Sequence, residues 1–461
     1  MRDKSIIKRY KFSLPMVLLS GLLFAFLAWK MDASAGPDES MRYLVVDWII
    51  KHNALPTGYE EEIINPMWGF SYAFTPYLPS MIGAIFAKIA SVFTDDPRVL
   101  LFACRLVNVF AGMGTVFVSF RVGDKLLDNR KSVYFMASIV AFLPQFVFLS
   151  GYLNNDVMTL LTGFMILDAI LDGAGDKWSV KSMIYLAFGV GLCALTYYFG
   201  YGWIIFAIAG FIYTSFKQDI RGKALWRRFG IVFLMVFILA GWYFIRNGII
   251  YRGDFLGYRQ QLICTEQYMS KYGLYPVYNP GRLSMHLRDM LHNGRWTETT
   301  WESFIGMFGG MIICLDGKFY DFYMLAALSC TVMFLLFRHK TKDKISTPFL
   351  MSLLFEIVFP IVLSIYNSYT RDYQPQGRYV IALLPAAVVI FAVGMDEFSK
   401  AVKAKYSDSR PALARFGYDI PMWSAVLLFL VFAVIFYTVM LPTLTFTVLP
   451  GADKVSFYYV R

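Results

Sequence analysis

"PYLPSMIGAIFAKIASVF", residues 76–93, is the stretch on which the architecture turns. It is apolar enough to enter a bilayer, yet it carries Pro76, Pro79 and Lys88 and runs directly into the acidic "TDDP" of 94–97. If it crosses, the basic "RVGDKLLDNRK" of 121–131 lies outside the cell and every later basic loop is inverted. If it lies along the interface, the Lys- and Arg-rich loops all fall on the cytoplasmic side, the usual distribution in multi-pass membrane proteins. We read the sequence in the second way.

Outward from that stretch, apolar runs recur at about the length a helix needs to span some 30 Å of hydrocarbon. Eleven are expected to cross, at 14–30, 99–120, 132–150, 157–171, 182–199, 201–216, 229–245, 321–337, 348–366, 379–396 and 422–446. With 57% hydrophobic residues, 16% charged and a mean hydropathy of +0.52, a soluble fold of this length is excluded. The runs do not alternate polar and apolar, which excludes a membrane barrel. The fold class is therefore an all-α polytopic membrane protein, with interfacial helices in its first external loop. A net charge of +11 is absorbed by topology, so no nucleic-acid partner is expected.

The basic start "MRDKSIIKRY" precedes an apolar run with no small-residue cleavage site, so a retained first span with a cytoplasmic N-terminus is expected. One membrane domain over 1–447 follows, with external loops at 31–98 and 246–320 and a short external tail at 448–461. No nucleotide-binding loop, dinucleotide fingerprint or "HExxH" is present.

On this threading the polar chemistry gathers on the outer face. "GPDESMRYLVVDWIIKH" (36–52) places Asp38 and Glu39 at the start of a short amphipathic helix, with Tyr43, Val46, Ile49 and Ile50 on its apolar face and Arg42, Asp47 and Lys51 elsewhere. The two carboxylates are either helix caps or catalytic groups. "YLNND" (152–156) brings Asp156 to the same rim, again as a cap or as a second working carboxylate. Arg246, Arg252 and Arg378 sit at outer helix ends, suited to a phosphate or to lipid headgroups. Cys264 and Cys314 share one external loop and admit a disulfide. Glu356, inside a span, should face the bundle.

These residues resemble a known family. The acidic "DE" after the first span, followed by "RY", is similar to the first-loop motif of the GT-C glycosyltransferase superfamily. "CRLVNVF" (104–110), "LSGYLNND" (149–156) and "QGRYVIALLP" (376–385) resemble further family segments. Together with "IRNGIIYRGDFLG" and "ESFIGMFGG", the order looks closest to a bacterial family of predicted membrane proteins of this type. Aminoarabinose transferases and protein O-mannosyltransferases are more distant.

The resemblance implies a sugar moved from a polyprenyl-phosphate carrier to an acceptor hydroxyl, with inversion, on the extracytoplasmic side of the plasma membrane. The acceptor would be a glycan, a lipid or a protein of the cell envelope. Asp38, with Glu39 beside it and Asp156 opposite, would be catalytic. Arg378, Tyr379, Arg246, Asn247 and Arg252 would bind the donor phosphate. Trp68, Tyr72, Trp296 and Trp301 would hold sugar, among loop aromatics that include Tyr272, Tyr275 and Tyr278. A divalent cation (Mg, Mn or Ca) on Asp38 and Asp156 is allowed by this scheme. The competing reading is a transporter or flippase for lipid-linked saccharides, which would carry its charges near the membrane midplane rather than at one rim.

Overall fold

The computed structural model describes residues 12–33, 35–66, 68–273 and 279–444 of this polytopic, all-α membrane protein. The tail at 448–461, the start of the basic N-terminus, and Tyr275 and Tyr278 lie outside the described residues. Among the described residues eight helices are long and apolar enough to cross a membrane, three shorter apolar helices (Leu14–Lys30, Leu78–Ser91 and Val180–Ala194) accompany them, and the ends follow local chemistry.

The chain runs α1 (Leu14–Lys30), α2 (Glu39–His52), α3 (Leu78–Ser91), α4 (Pro97–Leu126), α5 (Arg130–Ala141) and α6 (Pro144–Leu149). It continues through α7 (Asp156–Asp176), α8 (Val180–Ala194), α9 (Gly202–Lys217), α10 (Gly222–Ile250) and α11 (Tyr258–Lys271). α12 (Trp296–Gly306), a two-residue hairpin (Met307–Phe308 with Ile313–Cys314), α13 (Gly317–Leu336), α14 (Thr347–Thr370), α15 (Leu384–Tyr406) and α16 (Pro411–Leu444) complete it. α4 begins with Pro97 in its first turn, where a missing N–H costs nothing, and Asp96 accepts from the Arg98 N–H at 2.9 Å. The run read as one span at 132–150 is two helices, because Pro144 removes a donor and breaks the ladder after Ala141.

α3, the deciding stretch, is 14 residues long. That is about 21 Å of rise, short of the hydrocarbon thickness. It packs along α4 through Gly83, where an added Cβ would stand 2.7 Å from the Cys104 sulfur.

Burial separates the centre of the bundle from its rim. The apolar windows of α7 and α15 are 78% and 83% buried, whereas those of α10, α13 and α14 are 22% buried and α16 28%. The outer four therefore present Ile238, Leu325, Val362 and Leu430 outward, a surface that only lipid can cover.

The buried ion pairs of the described residues gather toward the two ends of the bundle. At one end Lys344 joins Asp128, Asp396 and Glu397 at 2.9, 2.7 and 3.1 Å, tying α15 to the loops after α4 and α13. There too Asp168 of α7 is fully buried between Lys125 and Arg121 of α4. Between the ends, Glu356 faces inward as expected, with Oε2 within 2.8 Å of where a Cβ on Gly202 would be. All five cysteines are free thiols, so Cys264 and Cys314 are not bridged.

Candidate active site

The other end of the bundle collects "GPDE", "YLNND" and "QGRY". Asp38 precedes α2 with φ 62°, a left-handed conformation, and its side chain makes no cap hydrogen bond. A carboxylate held in a strained backbone position and not used for capping is available for another task. Arg378 supplies its partner: Nη2 donates to Asp38 Oδ2 at 2.5 Å, across 340 residues of chain. Burial alone would raise Asp38's proton affinity. The charges of Arg378 and Arg42, and hydrogen bonds from Arg378 and Tyr72, outweigh it and hold the carboxyl below the usual carboxylate range.

Glu39 is differently placed. It is 1% exposed and accepts from Arg105 through both oxygens, Nε to Oε1 at 2.8 Å and Nη2 to Oε2 at 2.6 Å. The Leu153 N–H also donates to Oε1, at 2.8 Å. Arg105 spends its remaining donors on the carbonyls of Ala28, Met31 and Asp32. The pair therefore locks the end of α1, the start of α2 and the 150–155 turn onto α4. Read beside Asp38 as a catalytic group, Glu39 is a closed, fully satisfied anchor.

The "NND" triplet divides its labour. Asn154 Oδ1 accepts from the N–H groups of Asp156 and Val157 at 2.9 and 3.2 Å, capping α7. Asn155 donates to the carbonyls of Pro76 and Thr196, at 3.1 and 2.7 Å, and binds the first loop to the α8–α9 turn. With both asparagines doing structural jobs, the buried Asp156 carboxylate has no ion pair among the described residues, and the hydrogen bond it accepts comes from its own backbone N–H. Burial raises its proton affinity, and Arg378 and Arg42 oppose that, so it lies near the Asp38–Arg378 pair. Gly36 has a steric role: a Cβ there would meet the Tyr152 ring at 2.5 Å, so the first-loop motif sits directly on the second.

Arg378 is oriented by its own neighbours. Nε donates to Gln376 Oε1 at 2.6 Å and Nη2 to the Tyr379 hydroxyl at 3.1 Å. The Tyr379 ring stacks on Phe199, 5.1 Å between centroids and 21° between planes. Gly377 allows this approach, since its N–H donates to Ser303 Oγ at 2.7 Å and a Cβ would lie 2.0 Å from the Phe304 backbone nitrogen. "ESFIG" and "QGRY" are thus two halves of one contact. Gly377→Ala must push backbone against backbone and displace Arg378. We expect it to cost tenfold or more in activity, about 1.4 kcal/mol or above at the barrier, while Gly175→Ala, which has open space around it, leaves activity unchanged.

The remaining predicted residues do not all converge. Tyr72 does: its ring lies under the Arg42 guanidinium at 4.2 Å, and its hydroxyl reaches Asp38. Arg246 instead donates Nη2 to the carbonyls of Leu55 and Pro56, at 2.9 and 2.8 Å, and Asn247 is buried against Phe255. These two hold the first loop in place. Arg252 is exposed beside Asp254, Arg259 and Gln260 on a separate surface groove. Trp296 is buried with its indole N–H on Ser368 at 2.9 Å, and Trp301 packs half-buried against Phe304. Trp68 sits in a turn closed by Asn65. Trp296 is thus buried, and Trp301 packs partly buried against the bundle core.

Sequence reasoning missed Arg42, Arg105, Tyr197 and Asp372. Arg42, placed off the apolar face of α2 by spacing, is 3% exposed and lies over the Tyr72 ring. Tyr197, in the α8–α9 turn, is acted on by Tyr379, Asp156 and Arg378. Among the described residues, three carboxylates with oxygens within 4.8 Å of one another occur at Asp128, Asp396 and Glu397. That group is at the opposite end of the bundle and already holds the ammonium groups of Lys344 and Lys400.

No sequence-family model matches the chain, and no curated protein matches it in sequence. In three dimensions it is similar to ArnT from Cupriavidus metallidurans bound to undecaprenyl phosphate, with a TM-score of 0.51 and 14% identity over 95% of this chain and 74% of that one. It is also similar to the apo oligosaccharyltransferase of Archaeoglobus fulgidus, with a TM-score of 0.57 and 13% identity over 93% of this chain. The same archaeal enzyme, AglB, in complex with an inhibitory peptide and a dolichol-phosphate, gives 0.51 and 13%. The chain spans 56% of the archaeal enzyme's length. At these identities the likeness shows the fold alone.

Proposed function

We propose that this protein is a glycosyltransferase that moves a sugar from a polyprenyl-phosphate-linked donor to an acceptor hydroxyl, with inversion. The observation that carries the reading is the Asp38–Arg378 pair beside an uncommitted Asp156, at one end of a GT-C fold. In the reaction, the acceptor oxygen bonds to the anomeric carbon as the carbon–oxygen bond to phosphate breaks. The acceptor proton passes to Asp38 and the electron pair leaves with the carrier phosphate. A carboxyl of lowered proton affinity suffices, because in an oxocarbenium-like transition state the hydroxyl becomes acidic late. Arg378 keeps Asp38 ionised and aimed. The aromatic faces of Tyr72, Tyr197 and Tyr379 suit the apolar face of a sugar ring.

Asp38 and Asp156 offer the hard oxygen donors that Mg, Mn or Ca takes, Asp156 with no competing ion pair among the described residues, and such an ion would neutralise charge on the leaving phosphate. The working end of the bundle is the outer one, in the plasma membrane of a cell whose envelope carries the acceptor. Membrane lipids surround it and no nucleic acid is engaged. Nuclear magnetic resonance of the product linkage tests the chemistry: an inverted anomeric configuration is expected, and a retained one contradicts direct displacement.

Asp372 adds a pH signature. Burial pushes its carboxyl up to about 6, with a hydrogen bond from Gln374 opposing and the Asp38 charge adding. Above that pH it places a further negative charge at a site meant for an anionic donor. KM for the donor should therefore rise severalfold, about 2- to 5-fold, between pH 5 and 7.5, and Asp372→Asn should flatten that profile.

A further inference from the structure

Of the buried arginines around Asp38, Arg105 and Arg378 are committed to protein atoms and Arg42 is not. Arg105 is consumed by Glu39 and three carbonyls, Arg378 by Asp38, Gln376 and Tyr379, and Arg246 by Leu55 and Pro56. Arg42 is 3% exposed, and its Nε and Nη1 are buried without a hydrogen-bond partner among the described residues. No carboxylate of the described residues lies within ion-pair distance of it. The Tyr72 ring lies 4.2 Å from the guanidinium, which steadies its plane but satisfies none of its N–H groups. A buried guanidinium with free donors is costly, and such groups persist in folded proteins where a ligand completes them. Arg42 lies beside Asp38, because the Tyr72 ring it covers carries the hydroxyl that hydrogen-bonds Asp38.

We infer that Arg42 is the ligand of the substrate's phosphoryl oxygens, the role that the family resemblance gave to Arg246 and Arg252. This rests on the glycosyltransferase reading of the site and names which side chain holds its donor. The chemistry required is a phosphate oxyanion, acceptor-only, presented by a lipid beside Asp38. Arg378 then serves Asp38, while Arg42 stabilises the charge that grows on the leaving phosphate. The division explains why two guanidiniums lie beside Asp38 while only one is ion-paired.

The test is equilibrium binding to the purified full-length protein in nanodiscs, with wild type, Arg42→Gln and Arg42→Lys. The probes are a long-chain polyprenyl phosphate, the corresponding polyprenol and phosphatidylglycerol. Wild type should bind the polyprenyl phosphate at least about tenfold more tightly than either other lipid. Arg42→Gln should lose about tenfold or more of that affinity and bind polyprenol as wild type does, the worth of one charge-assisted hydrogen bond. If Arg42→Gln fails to fold, Arg42→Lys, which keeps the charge over Tyr72, takes its place with the same expectation. Unchanged phosphate affinity in the folded variant overturns the assignment of Arg42 and leaves the glycosyltransferase reading standing. Failure of wild type to prefer polyprenyl phosphate over the other two lipids overturns that reading itself.

Discussion

Asp38→Asn should leave the protein folded and inserted, and should lower the rate of sugar transfer by about 10³-fold. The amide keeps the shape of the carboxylate and still accepts the Arg378 hydrogen bond, so the 340-residue link between the first loop and "QGRY" survives. What disappears is the base, together with the negative charge that orients the acceptor hydroxyl. Asp38→Ala is a harsher change: it strips a partner from an arginine that is 6% exposed and should lower the unfolding temperature as well. Initial rates in membranes carrying equal amounts of each variant separate the two effects. A wild-type rate for a folded Asp38→Asn would remove Asp38 from the chemistry.

Glu39→Gln, one residue away, should fail in the opposite manner. Glu39 and Arg105 are 1% and 2% exposed and joined through both carboxylate oxygens, so removing one charge leaves the other buried and uncompensated. Breaking such a pair costs about 3–5 kcal/mol, a large share of a typical stability. The expected outcome is a sharp fall in the yield of folded protein and a lowered unfolding midpoint in detergent. Replacing both partners with methionine should recover part of the loss, because two apolar groups of similar length carry no desolvation penalty. Adjacent carboxylates in one motif thus separate experimentally, one through rate and the other through stability.

The helices were legible because crossing a bilayer demands long apolar runs, a signal that survives without any tertiary information. The rim motifs were legible because charge is sparse within the spans, so "GPDE", "YLNND" and "QGRY" stood out at their ends. Their convergence was not encoded in any one of them: Gly36 on Tyr152 and Gly377 on Phe304 are contacts between distant segments. Arg42 was misplaced because helical spacing tells faces apart but does not say which face meets Tyr72 and Asp38. Arg246 failed for a related reason. Its distance from a helix end suggested a ligand, yet the nearest acceptors turned out to be the chain's own carbonyls at Leu55 and Pro56. Trp296 was read as a rim aromatic, and burial against Ser368 makes it core.

The most direct test of sugar transfer compares envelope glycans by mass spectrometry in cells carrying the wild-type gene, a deletion, and Asp38→Asn at equal membrane abundance. The account predicts that the deletion loses one sugar from a defined glycan, that the lipid-linked donor accumulates, and that Asp38→Asn reproduces both changes. A glycan that is lost on deletion but fully restored by Asp38→Asn would contradict it, and would point to a protein that moves lipid-linked saccharides without transferring them.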